Sequence, residues 1–204
     1  MRPLRDGPDG PGAPTPQSRR VLVLGLGNEL LGDDAVGLLA ARRVAELAGK
    51  RADHAEACVC TLDLLPVIAG YERLVVVDAY RSDADPPGRA IRVTPEALPR
   101  GFGYRSFHTL PFREMLEFGR ECGMPMPGRV SIHGLCVRDV DTFTQRLSPA
   151  VEKRWRAWAE EIARMEWGVG AAAFQESATR SRPGRSKRRS PKSGGATPSG
   201  AARR

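Results

Sequence analysis

VLVLGLGNELLGDDAVG, residues 21–37, is the stretch from which the fold can be read. Its first six residues are apolar or glycine, a length and composition suited to a buried strand, and Gly27 and Asn28 then break the run. Beyond the break, Val36, Ala40, Val44 and Leu47 recur at helical spacing, so the segment predicts a strand followed directly by a helix. The same alternation continues with a weaker strand near 54–60, an apolar helical stretch over about 62–70, and LVVVDA (74–79), the strongest strand signal in the chain. A β-α-β-α-β order favours a mainly parallel sheet with helices on both faces and right-handed crossovers.

Working outward, Pro86, Pro87 and Gly88 turn the chain into AIRV (90–93), a short strand expected at a sheet edge. A helix is expected after Pro111, and RVSIHGL (129–135) alternates as a strand does. Ser148 and Pro149 form a helix start, with Ser148 expected to cap free amides and Pro149 to fill the first helical position. Val151, Trp155, Trp158 and Ile162 then mark an apolar face that should close the core. The predicted class is α/β: a three-layer α/β/α sandwich around a mainly parallel, mixed, twisted sheet of about five strands. No internal repeat is visible.

The 204 residues and 41% hydrophobic content suit one domain. No apolar run approaches the roughly 20 residues a membrane-spanning helix needs. The first twenty residues lack the apolar stretch of a secretory signal, so the expected location is the cytoplasm. The net charge of +8 suggests nucleic acid until it is located along the chain. Residues 170–204 hold nine Arg or Lys and one acid, Glu176, whereas the remainder is balanced at 23 basic and 23 acidic residues. Nucleic acid is therefore not an expected partner, except through the basic tail around SRPGRSKRRSPKS. Both ends are rich in Pro, Gly, Ser, Ala and Arg, which predicts a disordered extension over 1–19, a folded domain over 20–168 and a disordered basic tail over 169–204. Cys58, Cys60, Cys122 and Cys136 lack paired C-x-x-C spacing and read as reduced thiols; if their segment were a strand, Cys58 and Cys60 would share a face and could approach a metal.

The Gly-rich turn at 25–37 first suggests a nucleotide site, but Leu30 stands where a dinucleotide fingerprint needs its third Gly, and Asp33 and Asp34 would repel phosphate. A metal suits these residues better. Asp34 follows the first strand and Asp78 ends LVVVDA, so a parallel sheet carries both carboxylates to its carboxyl-end rim, where open α/β sheets place ligands. His108, in the loop YRSFH, precedes a predicted helix and can swing over that rim. Two carboxylates and an imidazole suit zinc, nickel, iron or manganese and leave positions open for water or substrate. Plainer roles compete: Asp33 reads as a helix cap before a ligand, Asp34 alone could cap equally well, and His133, inside an apolar strand, reads as a satisfied core histidine. Asp78 is harder to explain without a partner, because an acid ending an apolar strand is desolvated. His54 begins a weak strand and says little. No G-x-S-x-G elbow or H-E-x-x-H helix occurs.

The pattern G-x-G-N-x-L-x-x-D-[DE]-x-x-G, present as Gly25, Gly27, Asn28, Leu30, Asp33, Asp34 and Gly37, resembles the opening of the maturation endopeptidases of nickel-iron hydrogenases. VVVDA with Asp78, the following Pro87 and Gly88, His108 within HTLPFREML, and LSPAV (147–151) extend the resemblance over roughly residues 20–165. It implies an aspartate- and metal-dependent endopeptidase that removes the C-terminal extension of a hydrogenase large-subunit precursor. By the same resemblance, Asp34, Asp78 and His108 engage nickel already carried by that precursor, with Asp34 or Asp78 accepting a proton from an attacking water. Departures occur at Val59 and Cys60, where relatives often carry Gly-Gly, and at Val137 and Arg138, where relatives carry Pro and an acid. These departures leave room for a related peptidase acting on another metalloprotein; the other alternative is a metal-dead binding protein working through its basic tail.

Overall fold

A computed structural model describes residues 21–58, 60–98 and 112–168. The expected extensions at 1–19 and 169–204, together with His108 and Val59, lie outside the described residues. Five strands, β1 (Val21–Leu26), β2 (Asp53–Ala57), β3 (Arg73–Tyr80), β4 (Ala90–Val93) and β5 (Arg129–Cys136), form one sheet in the order β2-β1-β3-β5-β4. β1 pairs in parallel with β2 and β3, and β3 with β5; β4 alone runs antiparallel, at the edge. Four helices flank the sheet: α1 (Val36–Ala48), α2 (Leu64–Ile68), α3 (Phe112–Glu121) and α4 (Pro149–Trp167). The three-layer α/β/α sandwich and the edge position of residues 90–93 follow the sequence expectation.

Side-chain alternation along the strands divides the apolar residues between two cores. Val21, Val23, Val75 and Val77 pack with α1 through Val36, Ala40 and Val44, and with α4 through Val151, Trp158 and Ile162. The intervening Leu22, Leu24, Leu74 and Val76 face α2 and α3 through Leu65, Ile68, Met115 and Leu116. A wholly apolar strand such as β1 thus serves both layers, as a central strand of a parallel sheet must. Among the described residues, no helix is long and apolar enough to cross a membrane.

Several boundaries differ from expectation. α2 is shorter than 62–70, because Ala69 leaves helical geometry and Gly70 follows with φ +85°, its N–H donated to the Pro125 carbonyl at 2.8 Å. β2 ends at Ala57, so Cys58 and Cys60 do not share a strand face: Cys58 is exposed and Cys60 is buried with its Sγ 3.9 Å from Met115 Sδ. Pro149 does occupy the start of α4, but Ser148 makes no side-chain capping bond. The Ser148 N–H instead donates to Asp33 Oδ1 at 2.6 Å. Nor does Asp33 cap its own helix; it lies in a 3-10 turn, Gly32–Ala35, that runs straight into α1, and neither segment receives a side-chain cap. The local pattern at both positions suggested capping, and a contact between distant segments took its place.

Candidate active site

Two glycines set the geometry at the carboxyl end of β1. Gly27 has φ +141°, and a Cβ there would lie 2.0 Å from the carbonyl oxygen of Asp34. A Cβ on Gly37 would lie 2.1 Å from the Leu26 carbonyl oxygen and 3.0 Å from the Asp78 Cα. The first turn of α1 therefore rests directly on the ends of β1 and β3, an approach only glycine permits. Asp34, three residues before Gly37, is thereby seated beside Asp78. The parallel strands carry these two carboxylates to one rim, and the fold brings them together, although β3 continues two residues past Asp78 to Tyr80.

Both are buried, at 4% exposure each. Asp34 Oδ1 has no hydrogen-bond partner among the described residues. Burial raises the Asp34 carboxyl above its ordinary range; the Asn28 backbone N–H opposes this and the Asp141 charge adds to it. Asp78 Oδ1 accepts the Ala79 N–H at 2.8 Å. Burial, and then the charge of Asp34, nevertheless push the Asp78 carboxyl to about 7. Two desolvated acids with an orphaned oxygen are short of positive charge, so a bound cation or a shared proton fits this pair. Among the described residues, no cluster of three or more His, Cys, Asp or Glu forms a metal set. His108, the expected third ligand, lies outside those residues.

The segment 137–148 walls the site, a role its sequence does not reveal. Thr144 exchanges backbone hydrogen bonds with Leu30 and Gly32, and the Asp139 carbonyl accepts the Asp33 N–H at 2.9 Å. Asp141, which raises Asp34, pairs with Arg81 at 3.2 Å. Its place in an irregular segment with no periodic pattern gave no signal. Arg138, one of the departures from the resembled pattern, donates to the carbonyls of Ser82 and Asp85 and so ties the segment to the loop following β3. Cys60, another departure, has its thiol pushed up to about 12 by burial and then by the Asp78 charge. In the protein alone it is therefore a neutral thiol near Asp78.

The other histidines stand apart from this rim. His133 is fully buried on β5, and its Nε2 lies 2.9 Å from Glu166 Oε1, a partner supplied by the far end of α4. The expectation of a satisfied core histidine holds for that nitrogen; Nδ1 has no partner among the described residues. His54 is on β2, with Nε2 3.2 Å from Glu56.

The family model for hydrogenase maturation proteases (HycI) matches residues 54–165. The chain belongs to the hydrogenase maturation protease family. Among relatives of this protease, the hydrogenase 2 maturation protease of Escherichia coli is 29% identical over 161 residues, which cover 74% of this chain and 94% of the relative. The hydrogenase expression/formation protein HupD of Rhodobacter capsulatus is 26% identical over 166 residues, covering 74% and 78%. The structure of the hydrogenase maturating endopeptidase HybD from E. coli superposes with a TM-score of 0.57 at 25% identity, covering 78% of the protease and 93% of HybD. The family pattern in this protease thus has a physical basis: its glycines are the positions at which helix and strand ends touch, and its two acids are what that contact brings together.

Proposed function

We propose that this protease removes the C-terminal extension of a nickel-iron hydrogenase large-subunit precursor in the cytoplasm, and that it acts on precursor already loaded with nickel. The observation that carries the reading is the buried pair Asp34 and Asp78, one with an oxygen that has no partner among the described residues and the other with its carboxyl held at about 7. Such a pair attracts a cation presented by a substrate and, near neutrality, can take and return a proton. Nickel belongs to the substrate in this scheme: Asp34 and Asp78 would engage it, with His108 as the third ligand implied by the resemblance. Hydrolysis needs water to add to the scissile carbonyl carbon while one carboxylate accepts its proton. The carbon–nitrogen bond then breaks, and that proton passes to the leaving amine. An assembly check follows, because a precursor without its metal gives the carboxylate pair nothing to hold.

Intact mass spectrometry of a nickel-loaded precursor incubated with the protease is the test, with nickel-free precursor and Asp34→Ala and Asp78→Ala variants as controls. Loss of a C-terminal peptide only with loaded precursor and wild-type protease is expected. Equal cleavage of nickel-free precursor would overturn the metal-checking part of the reading. Intact precursor after incubation, when host extract processes the same sample, would overturn the whole.

A further inference from the structure

At the end of the sheet away from the carboxylate pair, where β4 finishes and β5 begins, lies a cavity of about 320 Å³. Its lining includes Arg92 on β4, Thr94 and Glu96 just beyond that strand, Arg120 in the last turn of α3 and Arg129 at the start of β5. The backbone that carries these side chains is fixed. The Gly128 and Arg129 N–H groups both donate to the Glu72 carbonyl, at 3.1 and 3.3 Å, and the Leu98 N–H donates to the Pro95 carbonyl at 3.1 Å. Arg92 is held in register opposite His133 by the β4–β5 pairing.

Three arginines share this cavity with one acid. Arg92 gives its Nε to Glu166 Oε1 at 3.2 Å, but Arg73 pairs with the same carboxylate, so the two arginines exceed it by one charge. Arg92 is the outward one of the two, its side chain 53% exposed. Arg120 and Arg129 form no ion pair among the described residues; Arg120 has the Pro127 carbonyl 3.5 Å from its Nη2. A cation at Arg120 suits the carboxyl end of α3 in any case, whereas Arg129 has no helix end to serve. Glu96 is a fixed counterweight: the Thr94 hydroxyl and then its own backbone hold its carboxyl below the ordinary range, helped by the charges of Arg113 and Arg120. Since the chain before residue 170 is charge-balanced, the surplus here is a local feature.

We propose that this cavity binds a small, doubly charged oxyanion of the phosphate class, free or as the phosphate end of a small molecule, with Arg120 and Arg129 as its main donors and Arg92 as the third. The volume lies at the small end of the range for ligand sites. Guanidinium forks match the oxygen edges of a phosphate, and three of them around one cavity offer more donors than a single carboxylate can accept. Three arginines less Glu96 leave two positive charges, which is the charge of such an anion. The chain's own tail, with nine Arg or Lys and one acid over residues 170–204, is repelled from this cavity and does not fill it. The site is separate from the Asp34–Asp78 rim, and the proposal stands whether or not the peptide-cleaving reading does.

Isothermal titration of the full chain with inorganic phosphate and with glycerol phosphate is the test, at about pH 8, where both anions are doubly charged, and at ionic strength held constant with sodium chloride. The basic tail is present in every sample, so whatever it binds is common to all of them. Saturable binding of one anion per chain is expected, weakened about tenfold or more in Arg129→Ala and in Arg120→Ala by loss of a charge-assisted hydrogen bond. Glu96→Gln keeps a side chain that Thr94 can hold but removes the one negative charge, and should tighten binding about threefold or more. Tighter binding of glycerol phosphate than of phosphate would assign the site to an ester, and the reverse to the free ion. Should an arginine variant fail to fold, Glu96→Gln decides by its sign. No saturable binding to the wild-type chain, equal binding by the arginine variants, which would place the anion on the tail, or no gain in Glu96→Gln would each overturn the proposal.

Discussion

Asp33 and Ser148 are 115 residues apart in sequence, yet Asp33 Oδ1 accepts the Ser148 N–H at 2.6 Å. The bond joins the turn that carries Asp34 to the start of α4, and so fastens the wall formed by residues 137–148 over the site. Asp33→Ala leaves that N–H without an acceptor and should cost about 1–3 kcal/mol of stability, with kcat/KM falling as well. Asp33→Asn keeps the acceptor oxygen and should retain most of both. Thermal melts and cleavage assays on the two variants decide it; equal losses in Asn and Ala would remove the role given to this bond.

Asp78 gives a signed pH dependence. Its carboxyl moves from 3.8 to about 7 on folding, so the folded state binds its proton more tightly than the unfolded chain does. The stability linked to this group is fully present below about pH 4 and is lost as pH rises through about 7. Asp78→Asn removes that loss and should be inactive yet more stable than wild type at pH 8, by a few kcal/mol at most given about 1.4 kcal/mol per pKa unit. The two proteins should converge near pH 4. Parallel denaturant curves for both across pH 4–8 would contradict the burial of an ionised carboxylate here.

Glu166 behaves oppositely. Burial raises its carboxyl, but the His133 hydrogen bond and the charges of Arg73, His133 and Arg92 outweigh that and hold it at about 2. Its stabilising contribution is therefore present above about pH 4.5 and is lost as pH falls towards 2. Glu166→Ala would strand His133 and part of Arg73 inside the fold and should cost roughly 3–5 kcal/mol at pH 7. Glu166→Gln should cost less, and the difference from wild type should shrink under acid. A Glu166→Ala protein melting within a degree or two of wild type would show that this network is idle.

Gly37 tests the contact that seats the acids. Gly37→Ala pushes a methyl group into the Leu26 and Val77 carbonyl oxygens, backbone atoms that cannot swing aside. A cost of several kcal/mol and loss of cleavage are expected, at the upper end for overpacking. Since Gly37 carries no functional group, full activity in Gly37→Ala would mean that α1 need not touch β3 to assemble the site.

What sequence reading could and could not reach follows from the range of each interaction. β1, β3 and α1 declare themselves through local periodicity, and the parallel order they imply is enough to bring Asp34 and Asp78 to one rim. Asp33 and Ser148 both carry local capping signals, yet neither caps, because each finds its partner in the other, far along the chain. His133 could be read as buried, but Glu166 as its partner could not, since nothing near either residue points to the other. Arg138 looked like a departure in the substrate region; its bonds to Ser82 and Asp85 show a brace between two loops, a role legible only once the loops are adjacent.

The contact of Gly37 with the ends of β1 and β3 carries an implication for how such proteins diverge. The acids are spaced by backbone packing, while a cavity beside them is lined by loop and helix-surface side chains such as Glu29, Leu30 and Arg42. A duplicated gene can therefore accumulate changes along that lining while Gly27, Gly37, Asp34 and Asp78 stay untouched.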